Sequence, residues 1–425
     1  MNLPEWLAHI ERQHAKAIDL GLERVRAVSA ALGQRQTCPV ITVGGTNGKG
    51  STCAMLERIL LAAGYRVGLY TSPHLLRYNE RVRIDGRPVA DEVLCEGFAR
   101  VDAARAKVRP GGTPLTYFEF GTLCAWEVFA AQPLDAVILE VGLGGRLDAT
   151  NIYEPDVAVV TAIDLDHMDY LGPTREHIGF EKAGIFRAGR PAICGDAEPP
   201  RRLVEHAQAI GADLLLIGSD FGYERQEGQW QFHGRHGNKS GMALPALRGS
   251  YQLANASCAL AALDALHDRV PVAMQDIRRG LAEVELAGRF QVLPGRPAIV
   301  LDVAHNPQAA RSLADNLGAM AFHPTTWAVF GMLRDKDIAG VVDAMRHRVD
   351  RWLPATLEGP RAATADELAA TLAASGVAGP LPTFASPTAA LAYAREHAGG
   401  DDRIVAFGSF LTVADVLRAL GRAAA

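Results

Sequence analysis

Excess positive charge and long apolar runs are both missing from this sequence, and each absence argues against one class of binding partner. With 43 Lys and Arg against 48 Asp and Glu, the formal net charge is -5. This balance argues against a protein that binds nucleic acid mainly through charge. No apolar run approaches the ~20 residues that a membrane-spanning helix needs. Neither nucleic acid nor a membrane is therefore an expected partner.

Cysteine is also sparse. None of the six cysteines has the short paired spacing of a zinc site or a disulfide framework. We expect them to be small buried residues in the reducing cytoplasm. The acidic Glu5 so close to Met1 argues against a secretory leader. The cysteines are Cys38, Cys53, Cys95, Cys124, Cys194 and Cys258.

The sequence does contain a glycine-rich turn between a predicted strand and a predicted helix. Residues 39–43 are a β-branched run typical of a buried strand, residues 44–52 have the sequence GGTNGKGST, and helical spacing of apolar residues begins near Ser51. Glycines let backbone N–H groups approach phosphate oxygens, and the helix dipole favours negative charge there. Lys49 could reach the outer phosphates, and Ser51 or Thr52 could hold Mg²⁺. The turn predicts nucleotide binding, although Lys49 is one residue closer to the first glycine than in the common Walker pattern.

Polar side chains follow two further predicted strands. One buried-type strand ends at Glu140, and the strand predicted for residues 156–163 leads to His167. Because carboxyl ends of parallel strands share one edge of a sheet, both side chains are expected beside the glycine-rich turn. A buried carboxylate without a partner is disfavoured, so Glu140 needs a metal ion, a cation or solvent. Oxygen and imidazole donors near phosphates predict Mg²⁺ or Mn²⁺; the alternative is that His167 is structural.

Three other features leave alternatives open. Residues 71–74, TSPH, end the second predicted strand, where they either line a site or form a turn closed by Pro73. Residues 142–151 are too rich in glycine for a helix and are expected to wrap something closely. Asn255, in a predicted apolar helix, is either a polar surface residue or a reader of an adenine edge.

The order of predicted elements indicates an α/β protein with two domains, each with a mostly parallel sheet. Residues 1–286 form a P-loop-type N-terminal domain, with a hairpin excursion at residues 221–239. Glycine and proline mark residues 287–297 as a linker. Residues 298–425 form a smaller Rossmann-like C-terminal domain. Its strands are predicted at residues 298–303, 326–332, 351–357, 382–385 and 404–408.

A set of motifs spread over nearly the whole chain resembles folylpolyglutamate synthase, within the Mur-ligase superfamily of ATP-dependent amide ligases. The motifs are GTNGKGS at 45–51, TSPH at 71–74, LEVGLGGRLDATN at 139–151, DH at 166–167, EKAGI at 181–185, GRF at 288–290 and DVAHNP at 302–307. Residues 14–24 and 115–119 are similar to the bacterial bifunctional form, which also acts as dihydrofolate synthase. One difference is Ala17, where the family pattern has threonine.

The resemblance implies ATP and a pair of Mg²⁺ ions. Metal ligands are implied to be Ser72, Glu140 and His167. Lys182 is similar to a lysine that the superfamily carbamoylates, which turns a cation into a carboxylate-like ligand. Contacts with ATP are implied for Thr46, Asn47, Gly48, Lys49, Gly50, Ser51, Asn255, Arg289 and Asp302.

The resemblance also implies dihydropteroate, reduced folates and L-glutamate as substrates, and a monomer. His305 corresponds to a histidine that is important for activity, alongside Lys49 and Lys182, and Ser409 lies in a matching loop. Pterin-substrate contacts are implied for Ile18, Asp19, Thr116, Tyr117, Phe118, Glu119, Leu147, Asp148 and Ala149.

Elementary chemistry supports such a ligase independently. A carboxylate does not condense with an amine at neutral pH, because hydroxide is a poor leaving group. ATP would convert the carboxylate into an acyl phosphate, which the amine of glutamate then attacks. The reaction needs positioning and charge neutralisation, by Lys49, Arg289 and metal ions, and no nucleophilic triad. The expected activities add glutamate to dihydropteroate and to the γ-carboxylate of reduced folates.

Other functions are compatible with parts of the pattern. One alternative is an enzyme that extends folates without making dihydrofolate, which an assay with dihydropteroate would test. A non-ligating ATP-binding regulator would hydrolyse ATP slowly, unaffected by glutamate. A cell-wall Mur ligase would be expected to carry a separate N-terminal domain for its UDP-sugar, whereas the glycine-rich turn here begins at residue 44.

Overall fold

The structure is a computed structural model that describes residues 1–16, 18–33, 37–109 and 111–422, so Ala17 lies outside the described residues. The chain divides into two compact units. The first unit comprises Met1–Pro245 and Leu253–Val284, and the second comprises Ala246–Gln252 and Glu285–Ala425. Both units are α/β, which confirms the predicted fold class. Among the described helices, none is both long and apolar enough to cross a lipid bilayer.

An eight-stranded sheet forms the centre of the first unit. Its strands are β1 (Val40–Gly44), β2 (Val67–Tyr70), β3 (Val82–Ile84), β4 (Arg87–Pro88), β5 (Ala136–Glu140), β6 (Val157–Val160), β7 (Pro191–Cys194) and β8 (Asp213–Leu216). Their spatial order is β4-β3-β2-β5-β1-β6-β7-β8. At one edge of the sheet, β3 is antiparallel to both of its neighbours, β2 and β4. The other neighbouring strands of this sheet pair in parallel. All residues of the central strand β1 are buried, which explains its unbroken apolar and β-branched sequence.

Helices cover both faces of this sheet. The helices of the first unit are α1 (Leu3–Glu11), α2 (Glu23–Leu32), α3 (Lys49–Ala62), α4 (Asp91–Val108), α5 (Tyr117–Ala130), α6 (Met168–Leu171), α7 (Arg175–Ala183), α8 (Arg201–Ile210), α9 (Gln252–Ala265) and α10 (Met274–Glu283). Short 3₁₀ helices span Tyr78–Arg81 and Ala149–Ile152. One apolar core, built around Phe98, Phe120 and Phe129, joins α1, α2, α4 and α5 to the sheet.

The predicted hairpin excursion is a small antiparallel sheet of three strands. They are β9 (Gly222–Arg225), β10 (Gln229–His233) and β11 (Lys239–Ala243), so the excursion runs beyond its predicted end at residue 239. Trp230 and Phe232 of β10 are fully buried, and their burial stabilises the added strand pairing.

The second unit is built on a five-stranded sheet. Its strands are β12 (Gln291–Leu293), β13 (Ala298–Leu301), β14 (Thr326–Phe330), β15 (Arg351–Pro354) and β16 (Arg403–Phe407), and its helices are α11 (Pro307–Gly318), α12 (Ile338–Met345), α13 (Ala365–Ala374), α14 (Pro387–His397) and α15 (Phe410–Ala419). The spatial order is β12-β13-β16-β14-β15. The edge strand β12, which lies in the segment predicted as a linker, is antiparallel to β13, and the other pairs are parallel.

The strand predicted for residues 382–385 is wrong. Only Phe384 joins the sheet, as an isolated bridge to Ala355. Its N–H donates to Pro354 O at 3.0 Å, and its carbonyl accepts from Thr356 N at 3.0 Å. Proline has no N–H to donate to a ladder, so Pro382 prevents the pairing from extending toward the N-terminus.

Candidate active site

The glycine-rich turn connects β1 to α3, as predicted, and packs so closely that side chains are excluded from it. Gly45 has a φ of +144°, and a Cβ there would lie 1.8 Å from Thr161 Oγ1. Gly48 has a φ of +93°, and a Cβ there would lie 2.4 Å from Asn255 Oδ1. Both positions therefore require glycine for backbone conformation and for space.

Hydrogen bonds fix this turn to the segment that follows β6. Thr46 N donates to Ala162 O at 2.7 Å, and Thr46 Oγ1 donates to Asp164 O at 3.0 Å. Thr161 Oγ1 donates to Asn47 O at 2.6 Å. Contacts from outside the turn thus help to hold its shape.

The cation and hydroxyl groups expected around a phosphate are present at the start of α3. Lys49 Nζ donates to Gly45 O at 3.0 Å and to Thr46 O at 3.1 Å, so the ammonium lies over the turn. Ser51 and Thr52 are buried in the first turn of α3. Thr52 Oγ1 has no hydrogen-bond partner in the described part of the chain. A buried hydroxyl without a partner beside a lysine and a helix N-terminus fits a bound phosphate with its divalent cation.

Glu140 ends β5, directly beside β1, and is 5% exposed. Its Oε2 accepts a hydrogen bond from Ser72 N at 3.0 Å. Ser72 follows β2, which pairs with β5 on the other side. The predicted ligands Glu140 and Ser72 therefore do lie together at the carboxyl edge of the sheet.

His167 follows β6, the strand that pairs with β1 on the side away from β5. Its backbone is left-handed, with φ of 51°, which is uncommon for a residue other than glycine. Within the described ranges, no group of three or more His, Cys, Asp or Glu side chains is arranged to hold a metal ion. The predicted ligand set has just two such side chains, Glu140 and His167, and takes its other donors from Ser72 and a modified Lys182. The metal site stays a prediction.

Lys182 lies in α7 and is 4% exposed. Burial, and next the nearby charge of Lys49, lower the pKa of Lys182 to about 7, while Asp166 and Asp148 act in the opposite direction. A large fraction of this lysine is therefore the neutral amine at neutral pH. Only a neutral amine has the lone pair that reacts with CO₂ to form a carbamate.

Two of the predicted pterin-contact segments meet at Gly142. Asp148 Oδ2 accepts hydrogen bonds from Gly142 N at 3.1 Å and Leu143 N at 2.8 Å. Burial raises the pKa of Asp148, although these hydrogen bonds oppose the rise. On the other side, a Cβ at Gly142 would lie 2.5 Å from the Phe118 ring. Leu147 and Ala149, next to Asp148, pack in the apolar core of the first unit that is built around Phe98, Phe120 and Phe129.

A third predicted segment is tied to these by an arginine that the sequence analysis did not single out. Arg24 Nε donates to Glu119 Oε2 at 2.9 Å, and its other guanidinium nitrogens donate to Asp19 Oδ2 and Asp19 O. Glu119 Oε2 also accepts from Thr116 N at 2.8 Å and Thr116 Oγ1 at 3.0 Å. Ile18, adjacent to Asp19, is half-buried. Arg24 thus joins two segments that are far apart in the chain.

Arg81 was also missed. Its guanidinium carbon lies 5.2 Å from the Tyr78 ring centroid and 5.5 Å from that of Tyr117. Its Nε donates to His74 Nδ1 at 2.9 Å. Arg81 therefore joins the TSPH loop to Tyr117, and no local spacing in the sequence signals these contacts.

In the second unit, Asp302 fixes the chain around Arg289. Asp302 Oδ2 accepts from Phe290 N at 2.8 Å, and Oδ1 accepts from Ala304 N at 2.8 Å. Burial raises the pKa of Asp302, and the charge of Arg289 opposes this rise. Phe290 itself is left-handed, with φ of 45°. The carboxylate thus holds a strained backbone directly after Arg289.

Arg289, His305 and Ser409 also lie near one another in this unit. The guanidinium carbon of Arg289 is 5.0 Å from the Phe410 ring centroid, and the His305 ring is 6.2 Å from the same ring. His305 Nδ1 lies 2.8 Å from Val303 O, so Nδ1 carries a proton. Ser409 Oγ caps α15 by accepting from Leu411 N at 3.2 Å. The polar end of β13 and the loop after β16 therefore form one cluster.

Comparison with known proteins identifies the family of this chain. The family model for the Mur ligase middle domain matches residues 116–263, and the model for the Mur ligase glutamate ligase domain matches residues 288–410. The chain is 47% identical over 419 residues to dihydrofolate synthase/folylpolyglutamate synthase of Escherichia coli strain K12, covering 98% of this chain and 95% of that one.

The chain belongs to the dihydrofolate synthase/folylpolyglutamate synthase family. The solved structure of E. coli FolC in complex with DHPP and ADP has a TM-score of 0.93 and 46% identity, covering 99% of this chain and 98% of that one. A bifunctional folylpolyglutamate synthase/dihydrofolate synthase with Mn, AMPPNP and L-glutamate bound has a TM-score of 0.90 and 44% identity, with 99% and 98% coverage.

Family membership confirms the predicted activity: as a dihydrofolate synthase/folylpolyglutamate synthase, the chain is an ATP-dependent ligase. The extender-only alternative and the non-ligating regulator both lose support, because the relatives named above are bifunctional ligases. The roles of individual residues stay predictions.

Proposed function

We propose that this ligase uses the two predicted regions of its first unit as one continuous site, with a phosphate cradle at one end and a pterin pocket at the other. The observation that carries the proposal is the short connection between them. Glu140, which accepts from Ser72 N, stands two residues before Gly142, where Asp148 and the Phe118 ring converge. A pterin held at Gly142 would present its carboxylate toward the edge of the sheet that carries the glycine-rich turn.

The cradle would bind the phosphates of ATP through the backbone of residues 46–51 and the ammonium of Lys49. Asn255 lies against Gly48, which supports a contact with the nucleotide. Arg289 and Asp302 would make the remaining contacts. Relatives with ADP or AMPPNP bound support this assignment.

A divalent cation would be held by Ser72, Glu140 and His167. The carbamate formed on Lys182 would be a further ligand of this cation. When bound, it would neutralise phosphate charge as phosphoryl transfer proceeds. The relative with Mn bound supports a divalent ion. The lowered pKa of Lys182 supports the carbamate, because the neutral amine is the reactive form.

The chain's own residues would then position two steps. First, a carboxylate oxygen of the pterin substrate attacks the γ-phosphorus, the bond to the β-phosphate oxygen breaks, and ADP leaves; Lys49 and Arg289 would balance the developing charge. Second, the amine of L-glutamate attacks the acyl carbon, loses a proton, and inorganic phosphate leaves. His305 would act in this second step, near the amine. Exclusion of water from the site would protect the acyl phosphate from hydrolysis.

The pterin contacts would be made by Ile18, Asp19, Thr116, Tyr117, Phe118, Glu119, Leu147, Asp148 and Ala149. Their convergence around Gly142 and Arg24 supports this set. The same pocket would serve dihydropteroate and reduced folates, because both carry the pterin ring and differ in which carboxylate reacts.

We further propose functional domains at residues 1–286 and 298–425 with a linker at 287–297, a monomeric state, and action in the cytoplasm. The division of the chain between Val284 and Glu285 supports the end of the first domain, whereas β12 joins residues 291–293 of the linker to the second sheet. Among the described residues, which include all six cysteines, none forms a disulfide, and this suits a reducing compartment. Sedimentation of the purified protein would test the monomer.

The deciding assay measures glutamate-dependent phosphate release from Mg-ATP, with dihydropteroate and separately with a reduced folate monoglutamate, and identifies the products by mass. We expect release with both substrates and one added glutamate in each product. Release with the folate alone would refute the role of residues 116–119 in dihydropteroate use. No stimulation by glutamate with either substrate would refute the proposed reaction.

A further inference from the structure

We propose that Phe410 is a positioning residue for Arg289, holding its guanidinium in place for phosphate without neutralising it. The proposal rests on the function proposed above for Arg289. It concerns a residue for which neither the sequence analysis nor the family resemblance assigns a role.

The first support is how little else holds Arg289. Within the described part of the second unit, its side chain makes one hydrogen bond, from Nη1 to Gly288 O at 3.3 Å, and no ion pair with a carboxylate. Both carboxylate oxygens of nearby Asp302 accept backbone N–H groups from Phe290 and Ala304. The charge of Asp302 acts on the guanidinium without an ion-pair contact, so the side-chain contact that orients it is the face of Phe410, at 5.0 Å from Arg289 Cζ.

The second support is the rigidity with which the chain presents this ring. Gly408 joins β16 to α15 with φ of +107°, and a Cβ there would lie 2.4 Å from Gly331 O. Ser409 caps the helix, and Thr412 Oγ1 donates to Gly331 O at 2.8 Å. Phe410 is the first residue of α15, so these contacts on both sides fix where its ring lies.

The third support is the position of Phe410, which is half-buried at the polar end of the sheet. It is not part of the apolar cluster formed around Phe330, Phe407 and Trp352 in the described part of this unit. An aromatic face there contacts Arg289 and borders His305, whose ring centroid is 6.2 Å away. Among the described residues, its ring contacts are thus with the predicted catalytic groups.

The physical role follows from the chemistry of the pair. An arginine side chain has several rotatable bonds, and an unrestrained one spends much of its time away from any given phosphate. A carboxylate would restrain it but would also neutralise the charge that phosphate requires. The ring quadrupole attracts the guanidinium while leaving its full charge and its N–H donors available.

The test compares Phe410→Leu, which keeps an apolar side chain, with Phe410→Tyr, which keeps the aromatic face. The matched control is Phe322→Leu, because Phe322 is 87% exposed in the same unit. We expect Phe410→Leu to lower kcat/KM for ATP about tenfold, with an unchanged Tm and an unchanged KM for the pterin. Phe410→Tyr and Phe322→Leu are expected to stay within about twofold of wild type.

Double variants identify the residue through which Phe410 acts. In an Arg289→Ala background, Phe410→Leu is expected to cause no further loss, because the group it positions is already gone. An equal further loss in that background would overturn the proposal, as would a loss that disappears only in a His305→Ala background. If Phe410→Leu lowers the Tm, Phe410→Met takes its place in the same comparison. The kcat/KM for ATP of Phe410→Met must then still be lower than that of Phe410→Tyr.

The kinetics of Arg289→Ala distinguish an error in the proposed role of Arg289 from an error in the inference about Phe410. If Arg289→Ala alone leaves ATP kinetics unchanged, the proposed role of Arg289 is wrong and the positioning role falls with it. If Arg289→Ala is severely impaired while Phe410→Leu equals wild type, the role of Arg289 stands and only the inference about Phe410 is refuted.

Discussion

The positive charge of Lys49, at the start of α3, acts on Lys182 in α7 and lowers the pKa of its amine. Burial of Lys182 is the larger cause, and together they bring the pKa to about 7. The fold thus places Lys182 under the influence of the Lys49 charge, at the edge of the sheet where phosphates are expected. The arrangement disfavours a second ammonium there and favours a neutral amine that can be converted into a carbamate.

Because of this shift, the stability of the protein should depend on the charge of Lys182. An unfolded lysine has a pKa of about 10.4, whereas Lys182 in the fold has a pKa of about 7. Between these values the unfolded chain binds the extra proton, so the free energy of unfolding rises with pH by up to about 1.4 kcal/mol per unit. From pH ~7 to ~9, urea unfolding in CO₂-free buffer should show wild type gaining up to about 2 kcal/mol relative to Lys182→Met.

The same variant should be inactive yet at least as stable as wild type near neutral pH, because it removes a buried amine and the carbamate together. Lys107→Met, on the exposed side of α4, is the control and should change neither property. A Lys182→Met protein with full ligase activity would refute the carbamate. Parallel pH dependences for wild type and Lys182→Met would refute the lowered pKa.

Gly48→Ala should weaken ATP binding at least about tenfold and destabilise the fold by roughly 1–2 kcal/mol. Two separate effects act there: φ is +93°, and the new Cβ would lie 2.4 Å from Asn255 Oδ1. Gly189→Ala separates them, because Gly189 has φ of +65° with nothing within 4 Å of its Cβ. That control should lose some stability and keep its ATP affinity. Titration with a non-hydrolysable ATP analogue measures the difference, and equal ATP affinity in both variants would count against the cradle.

Much of the fold and the centre of the site follow from local sequence. The β1–turn–α3 unit was predictable because an apolar run, glycines and helical spacing occur in one continuous stretch, and Glu140 because a carboxylate ends a buried strand. Arg24 was not, because its partner Glu119 is 95 residues away and no periodicity links them. The role of Phe410 could not be predicted for the same reason, because an aromatic residue at the start of a helix is expected to be a core residue until its neighbours are known.

Errors in the predicted elements have a similar origin. Residues 382–385 have the apolar character of a strand, but whether they pair depends on the N–H that Pro382 lacks and on how the neighbouring β15 ends. β12 was hidden in a segment marked by glycine and proline, because an edge strand needs only one paired side. Tertiary pairing decided both cases.

Arg24→Ala should raise the KM for dihydropteroate about tenfold or more, with little change in the KM for ATP. Arg24 connects Asp19 to Glu119, so its loss releases two predicted pterin contacts without touching the phosphate cradle. Arg26→Ala, exposed on the same helix, should behave like wild type. Steady-state kinetics with each substrate varied in turn would decide it: an equal rise in both KM values would show a general structural defect instead.

Glu140→Gln should raise the Mg²⁺ concentration needed for half-maximal activity by about tenfold or more while leaving the fold nearly unchanged. Glutamine keeps an oxygen that can accept the hydrogen bond from Ser72 N, which is 3.0 Å from Glu140 Oε2, so the local backbone retains its partner. It lacks the negative charge that a hard divalent cation prefers. Glu154→Gln, at an exposed position paired with Arg187, controls for a general loss of acidic charge. Activity measured against total Mg²⁺ at saturating ATP, together with Tm values, separates the outcomes. If both variants showed the wild-type Mg²⁺ dependence, Glu140 would not be a metal ligand, and its burial at the sheet edge would reflect a structural role that includes accepting the hydrogen bond from Ser72 N.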